Sequence, residues 1–300
     1  MKLSSGDKAL HTVIYILLVL LGLATLYPFW NSAVISFNEG LDTAKGGITL
    51  WPRAFTLDNY SIVFQNERIV DAFLISVFRT IAGTVISIFF TAIFAYGLSV
   101  KGVIGKKFYM IFAIITMYFS GGLIPFYLLN RELGLMDTFW VMVIPTAVSV
   151  WNMIIFRTFF MGLPDGLEES AKIDGASTFG IFFKIVLPLS GPVLATLSLF
   201  TAVYHWNDWF TATIFINDAK LYPIQTFLQQ IMNSNTMSEQ LSIASQGSGA
   251  ASDALSRMQS VTSKSLTMAT MMVATIPIVL VYPFVQRFFV KGVLIGSLKE

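Results

Sequence analysis

Hydrophobic positions along the chain are gathered into long runs. A transmembrane helix needs roughly 20 mainly apolar residues, and six stretches with few charges are long enough, or nearly so. Residues 14–21 (IYILLVLL) are apolar on every face, whereas a strand of a membrane barrel alternates apolar and polar positions. We therefore predict an all-α integral membrane protein with six transmembrane helices, at 12–38, 72–100, 108–130, 138–160, 182–206 and 265–288.

The composition supports a membrane protein. Of the 300 residues, 55% are hydrophobic and 12% are charged, and the mean hydropathy is +0.71. Soluble domains contain about a quarter charged residues, so this chain has too few charges to cover two water-facing domains. We expect a single membrane domain over residues 1–300. The absence of cysteine excludes disulfides and thiolate metal sites, and the net charge of +2 does not indicate binding to nucleic acid.

Prolines in or beside the apolar stretches predict kinked or broken helices, because each removes a backbone donor. They are Pro28, Pro125, Pro145, Pro188, Pro192, Pro277 and Pro283.

The distribution of charge predicts the orientation. With both termini on one side, that side carries 11 Lys and Arg residues and the opposite side carries 7. The positive-inside rule therefore places both termini in the cytoplasm. The outer loops are then 39–71 and 217–264, the second of which is rich in serine, and the main cytoplasmic loop is 162–184.

The cytoplasmic loop has the pattern of a short helix. Asp165 is a candidate N-cap with Glu168 three residues later, and Gly175 is a candidate stop, which predicts a helix of about two and a half turns. Leu167 and Ala171 share one face of it. Its acidity on the basic side of the membrane favours docking into a basic protein groove over the alternative, a connector helix on anionic lipid.

The same loop carries a family resemblance. Glu169-Ser170-Ala171, Gly175 and then Ile185-x-Leu187-Pro188 match the spacing of the EAA loop of ABC importer permeases. Ser170 stands where the family pattern has alanine, a small change.

Further stretches narrow the resemblance. Asp174-Gly175-Ala176 and residues 282–292 (YPFVQRFFVKG) are similar to carbohydrate-uptake permeases such as the smaller maltose permease. Four more stretches resemble the subgroup for complex oligosaccharides, some containing uronate, such as alginate. They are 118–125 (YFSGGLIP), Gly134-Leu135, 205–207 (HWN) and 292–299 (GVLIGSLK).

The resemblance implies a type I ABC importer permease fold in a bacterial cytoplasmic (inner) membrane, with a loop helix that docks in a cleft of an ATPase. The coupling residues it implies are Glu168, Glu169, Ala171, Asp174, Gly175 and Ala176. The implied partners are a second, homologous permease, two copies of an ATP-binding subunit that use ATP and Mg²⁺, an extracytoplasmic solute-binding protein and the oligosaccharide. No cofactor is expected on this chain. By position, the resemblance assigns 217–264 to contact with the binding protein and 291–300 to a second contact with the ATPases.

Several polar residues are candidates for a substrate pathway. Arg79 falls near the outer end of its helix, where it either snorkels to lipid headgroups or lines a polar path that would favour an anionic sugar. The cluster near the outer end of the fifth span is either an aromatic belt or a sugar path, and a similar pair lies in the fourth span. These residues are Tyr204, His205, Trp206, Asn207, Asp208 and Trp209, with Trp151 and Asn152 as the pair.

Other functions have weaker support. His205 and Asp208 are too few ligands for a metal site, and we expect neither metal binding nor catalysis. The chain has no phosphate-loop, H-E-x-x-H or G-x-S-x-G motif, so any ATPase is another chain. An ion-driven secondary transporter is the main alternative, but its usual inverted repeats and buried mid-membrane acids are not apparent.

Overall fold

The structure is a computed structural model that describes residues 5–244 and 264–283. Apart from one antiparallel bridge between Asn38 and Phe55, the described residues form helices, helical turns and loops. The predicted all-α class is confirmed. The helices are α1 (Ser5–Ser36), α2 (Gly40–Ala44), α3 (Asp58–Gln65), α4 (Glu67–Ser99), α5 (Lys106–Tyr118), α6 (Leu123–Glu132), α7 (Val150–Met161), α8 (Asp165–Ile173), α9 (Thr178–Ile181), α10 (Leu187–Leu189), α11 (Gly191–Asn207), α12 (Phe210–Phe215), α13 (Ile224–Ala244) and α14 (Lys264–Pro283).

In the part of the chain that the structure describes, three helices are each long and apolar enough to span a membrane by themselves, and three bent pairs of helices are candidates for one span each. The single helices are α1, α4 and α14. The pairs are α5 with α6, bent by 114°, the turns at Phe139–Thr146 with α7, bent by 45°, and the segment Thr178–Leu189 with α11, bent by 82°. Six predicted spans therefore correspond to three long helices and three broken ones.

Proline and glycine explain where the bent pairs break. Pro145 lies in the 3₁₀ turn before α7, and Pro188 and Pro192 lie in the first turns of α10 and α11, where a missing backbone donor does no harm. Gly122, just before α6, has φ 85° and ψ −179°, a conformation that is essentially restricted to glycine. In contrast, α1 runs without a break through Pro28.

The chain forms two compact units. Among the described residues, the first contains those of Met1–Val70 and Leu228–Ile276, and the second contains those of Asp71–Phe227 and of the segment that begins at Pro277.

The first unit is held together by a polar network beyond the end of α1. The Asn38 amide donates to Thr43 Oγ1 at 3.0 Å, and the Asn59 amide donates to the carbonyls of Ser36 and Asn38. The Ser265 hydroxyl donates to Thr43 Oγ1 at 3.1 Å. Because every buried amide in it finds a partner, this polar network is a fixed structure on the surface loop that precedes α4.

The described residues of the second unit form two apolar clusters. The larger packs α4, α7, α8, α11 and the π-helical turn Phe182–Val186 around side chains such as Tyr96, Phe156, Phe182 and Leu197. The smaller joins the turn Phe139–Met142 to α12 through Val141, Met142, Ala212 and Phe215. These clusters position the two sites described next.

Some predicted features lie outside the described residues. They are most of the serine-rich part of the outer loop, the sequence 284–300 with its family-like ending, and the tail contact at 291–300.

Candidate functional site

The loop 162–184, which the sequence predicts to be cytoplasmic, contains the predicted short helix, but with a different start. Helix α8 has nine residues, which is two and a half turns, and its N-cap is Pro164 rather than Asp165. Asp165 is the first helical residue and makes no capping hydrogen bond. Its carboxylate instead accepts a bond from Lys101 Nζ at 2.7 Å, in the turn between α4 and α5. The predicted capping box is therefore wrong, because the ion pair with Lys101 takes the carboxylate.

The predicted end of α8 is confirmed. Gly175 has φ 79°, the left-handed conformation that favours glycine. The amide of Ala176 donates to the carbonyl of Ala171 at 2.9 Å, and that of Gly175 donates to Lys172 at 3.1 Å. This pattern satisfies carbonyls that would otherwise be unpaired at the helix end.

Helix α8 packs on its own unit through one small side chain. Ala171 is buried in the larger apolar cluster, whereas Leu167, on the same face, remains 41% exposed. The stability of so short a helix thus comes from packing of Ala171 and from its ends. Glu169 and Ile173, four residues apart, share the face that points to solvent, and Ile173 is 86% exposed.

Basic residues surround the acidic start of α8. Lys172 Nζ lies 3.6 Å from the Glu168 carboxylate, and Arg157 donates to the carbonyl of Leu98 at the end of α4. The hydrogen bond and charge of Asp165 raise the pKa of Lys101. Asp165 and Glu168 are thus paired locally, whereas Glu169 and Asp174 lie outside these ion pairs.

The second site is a buried ion pair near the other end of α4. Arg79 is fully buried, and its guanidinium donates to both the carboxylate and the backbone carbonyl of Asp208. Arg79 therefore does not snorkel to lipid headgroups. Its charge is also not free to meet an anionic sugar, because Asp208 neutralises it.

The ion pair lies at the end of the fifth candidate span. Asp208 is the C-cap of α11, and its other carboxylate oxygen accepts from the amide of Thr211 in the first turn of α12, at 3.1 Å. The carbonyl of Trp209 accepts from Thr226 Oγ1 at 3.0 Å. Arg79 thus fixes the break between α11 and α12 through both the side chain and the backbone of one residue.

His205 is buried one turn before this break. Its side chain is 1% exposed, and neither ring nitrogen has a hydrogen-bond partner among the described residues. The ring lies directly on Gly83 of α4: a Cβ added there would be 2.4 Å from His205 Nε2. Glycine at position 83 therefore makes room for the imidazole.

His205 forms part of the wall of a cavity of about 340 Å³ inside the second unit. Of the predicted pathway residues, Asn152, Tyr204 and His205 line it, and Arg79 and Asp208 lie behind His205 as the ion pair.

The other predicted pathway residues lie elsewhere. Trp206 is buried against Phe73, with ring centroids 5.9 Å apart, and so is not part of a lipid-facing belt. Trp151 is 62% exposed, and the Asn207 amide donates to Val203 within its own helix. Neither these residues nor Trp209 line the cavity.

The sequence contains a further signal for this cavity. Ser87, Thr146, Ser149 and Thr201 also line it. On α4, small and hydroxyl residues recur every three or four positions in an otherwise apolar helix, a spacing that puts them on one face. They are Thr80, Gly83, Thr84, Ser87 and Thr91.

Comparison with known proteins identifies the family. Residues 66–295 match the model of the family described as "binding-protein-dependent transport system inner membrane component". The chain belongs to this family. It is an inner-membrane permease component of an ABC import system that works with a binding protein.

The relatives and a solved structure cover nearly the whole permease. It is 42% identical over 293 residues to the polygalacturonan/rhamnogalacturonan transport system permease protein YtcP of Bacillus subtilis, covering 98% of this chain and 99% of the relative. It is 41% identical to protein LplC of the same organism, covering 93% and 90%. A crystal structure of a bacterial ABC transporter involved in import of the acidic polysaccharide alginate contains a chain with a TM-score of 0.84 and 28% identity, covering 96% of the permease and 99% of that chain.

The family membership confirms the resemblance seen in the sequence, including its fold. The fold is thus that of an ABC importer permease rather than of a secondary transporter.

Proposed function

We propose that this permease moves an oligosaccharide, with uronate-containing chains as the first candidates, across the bacterial cytoplasmic membrane. The observation that carries the proposal is the similarity, over nearly the full length of both chains, to a permease named for polygalacturonan and rhamnogalacturonan transport. The alginate importer with the same fold is also named for an acidic polysaccharide.

The proposed complex contains a second, homologous permease, two copies of an ATP-binding subunit and an extracytoplasmic solute-binding protein. ATP and Mg²⁺ are used by the ATP-binding subunits. Within this complex the outer loop 217–264 contacts the binding protein, and 291–300 contacts the ATPases.

We further propose that α8 is the element that couples transport to ATP hydrolysis. Its solvent-facing side offers a carboxylate, Glu169, beside an exposed apolar side chain, Ile173. A partner groove with a basic group and an apolar floor would complement that face. The packing of Ala171 and the Lys101–Asp165 ion pair attach α8 to the unit that contains α4, α7 and α11, so displacement of the helix would reach the spans.

The same end of this unit supports a cytoplasmic location for α8. Lys101, Lys106, Arg157 and Lys172 lie in or beside α8 and the adjoining ends of α4, α5 and α7. A cluster of basic residues beside transmembrane helices is typical of the cytoplasmic side.

Reconstitution of the complete complex tests the transported substrate. Uptake into proteoliposomes would be measured over a panel of neutral and acidic oligosaccharides, with and without ATP and the binding protein. We expect uptake of an oligosaccharide that requires both. Uptake driven by an ion gradient without ATP would instead support a secondary transporter.

The variant Glu169→Lys tests the coupling role. Charge reversal on the docking face should leave membrane insertion intact but uncouple ATP hydrolysis from uptake, measured together in the same proteoliposomes. Glu132→Lys, the same change at the exposed last residue of α6, is the matched control and should retain coupling. Normal coupled uptake by Glu169→Lys would contradict the assignment of α8.

A further inference from the structure

An exposed apolar tip lies beside the last turns of α1. Leu50 and Trp51 are 57% and 71% exposed, in a loop, 46–53, that follows α2. Trp30 of α1 lies against Trp51, edge to face, with ring centroids 5.7 Å apart. Large apolar side chains gathered at one exposed place mark a surface that meets another molecule or a membrane.

The 46–53 loop is closed by its own residues. Gly46 and Gly47 have φ 70° and 71°, and this left-handed conformation turns the chain back after α2. The guanidinium of Arg53 donates to the carbonyls of Asp42 and Gly46 at 3.0 and 2.9 Å. The tip is therefore presented by a loop whose shape is fixed before it meets any partner.

Three successive carbonyls of the loop are bonded by side chains of α1. The Asn31 amide donates to the carbonyls of Ile48 and Thr49 at 3.1 and 3.2 Å. The indole Nε1 of Trp30 donates to the carbonyl of Leu50 at 2.9 Å. A carbonyl in water has solvent as a partner, whereas an unpaired carbonyl in a bilayer is costly. This pairing suits a loop that lies at the edge of the lipid.

The length of α1 places the tip at a membrane boundary. Lys8 is the last residue of α1 with a full charge, and Trp30 follows 22 positions later, which is ~33 Å of helix. The hydrocarbon core of a bilayer is ~30 Å thick, so with Lys8 at one boundary Trp30 reaches the other. Tryptophan is enriched at this level, because its ring is apolar and its N–H is polar.

The surroundings favour lipid over protein as the occupant. From Leu10 to Trp30 every side chain of α1 is exposed, on all sides of the helix. A protein partner covers one stripe of a helix, whereas lipid solvates all sides, and α1 is apolar on all of them. Residues 40–53 also contain two cations, Lys45 and Arg53, and one acid, Asp42, so the tip has a net charge of +1 for the phosphates of lipid headgroups.

We propose that the 46–53 loop is a lipid anchor: Leu50 and Trp51 insert into the headgroup region of the phospholipid bilayer. Trp30 and Asn31 hold the loop to α1 at that depth. The anchor thereby fixes the depth of α1 in the membrane. It concerns the contact of the permease with lipid, so it holds whatever substrate is transported.

Depth-dependent fluorescence quenching of the complete complex tests this proposal. The natural chain has no cysteine, so Leu50→Cys gives this subunit one thiol for a small apolar fluorophore while Trp51 is retained. The other subunits would be made free of cysteine. The vesicles would contain phosphatidylethanolamine and phosphatidylglycerol, with a lipid brominated either near the headgroup or near the chain end. Leu21→Cys, exposed within α1, and Asp58→Cys, at a charged and exposed position of α3, are the matched controls.

We expect the fluorophore at position 50 to be quenched mainly by the shallow bromines, at a depth of about 5–10 Å in the headgroup region. Position 21 lies nine positions before Trp30, ~14 Å deeper, and should respond mainly to the deep bromines. Position 58 should respond to neither and should be quenched by iodide in the water.

Two results would overturn the proposal. If lipid bromines quench position 50 no more than position 58, the loop lies in water. If neither the bromines nor iodide reach position 50, another subunit covers the tip instead of lipid.

A second variant tests the attachment of the loop to α1. Asn31→Leu removes the donor to the carbonyls of Ile48 and Thr49, so these should turn to water and carry the fluorophore at position 50 with them. Quenching by the shallow bromines should fall and quenching by iodide should rise. Asn233→Leu, the same change at an exposed position of α13, should alter neither. An unchanged depth in Asn31→Leu would contradict the proposed attachment, and if this variant does not assemble, the depth of position 50 in the unaltered loop still decides for or against the anchor.

Discussion

The two ends of the second unit each contain an ion pair, and the surroundings of the two pairs differ sharply. The side chains of Arg79 and Asp208 are 1% and 12% exposed, whereas those of Lys101 and Asp165 are 79% and 67% exposed. A pair in water gains little, because solvent screens it and two long side chains lose freedom. A pair out of water cannot lose one member without leaving an uncompensated charge.

The two ion pairs therefore have different structural roles in this permease. The buried pair fixes the break between α11 and α12 next to the cavity, so the polar wall is rigid at that point. The exposed pair links α8 to the turn after α4 loosely, as suits an element that is proposed to move with a partner. Four measurements test or sharpen this contrast.

The largest effect should come from breaking the buried pair. Asp208→Ala leaves the guanidinium of Arg79 buried without its carboxylate, at a cost of about 3–5 kcal/mol. Arg79→Met/Asp208→Ala removes both charges and should recover a large part of that loss. Thermal unfolding of the purified complex measures both variants. A double variant no more stable than Asp208→Ala would show that burial of unpaired charge is not the cause.

A smaller loss is expected at Gly83, where the buried end is tightly packed. Gly83→Ala places a methyl group where the His205 ring lies, and overpacking of this kind costs about 1–3 kcal/mol. Gly97→Ala is the control on the same helix, because nothing lies within 4 Å of its added Cβ. Adding His205→Ala to Gly83→Ala should restore stability in the same unfolding assay. If the two glycine variants behave alike, the close contact is not limiting.

An effect of intermediate size on stability is expected from the ion pair between Arg53 and Asp42 in the first unit. Arg53 donates to Asp42 at 3.0 Å, and its hydrogen bond, with that of Asn38, lowers the pKa of Asp42 below its ordinary value. A lowered folded pKa contributes stability above the unfolded pKa, ~4, and that stability is lost as the pH falls through the folded pKa. As the pH falls from about 5 to about 3, the unfolding temperature of the wild type should therefore fall more than that of Asp42→Asn.

Asp58→Asn serves as the control for the pH experiment, because Asp58 is exposed on α3 and makes no bond to this network. It should retain the pH dependence of the wild type. An identical pH dependence in Asp42→Asn would remove Asp42 as its source.

The smallest effect should come from the exposed pair. Lys101→Met removes the partner of Asp165, but both side chains are well solvated, so we expect no measurable change in unfolding temperature. The coupling ratio of ATP hydrolysis to uptake is the more sensitive readout, because the pair links α8 to the end of α4. A large loss of stability in Lys101→Met would break the contrast with the buried pair.

Much of the loop 162–184 was predictable from local sequence. The length of α8 and its end at Gly175 follow from short-range patterns, since a left-handed glycine and a helix of known length need few neighbours. The predicted start of α8 was wrong because the Asp165 carboxylate can either cap its own helix or pair with Lys101, 64 positions earlier, and it pairs with Lys101. A short stretch of sequence gives no information about a competing partner so far away in the chain.

The cavity was predicted only in part, for a similar reason. Asn152, Tyr204 and His205 stood out as polar residues in apolar spans, but Ser87 and Thr146 look like ordinary small residues until four elements are brought together. The stripe of small and hydroxyl residues on α4 marks a polar face, but it does not say what that face meets.

The sequence by itself determined that this is a helical membrane permease, with six apolar stretches and a loop motif of fixed spacing, because these properties depend on composition and on near neighbours. The tertiary structure alone decided that three spans are bent and that Arg79 faces inward to Asp208, 129 residues away. Where a charge in a membrane lies depends on the partner that neutralises it, and only folding brings that partner within reach.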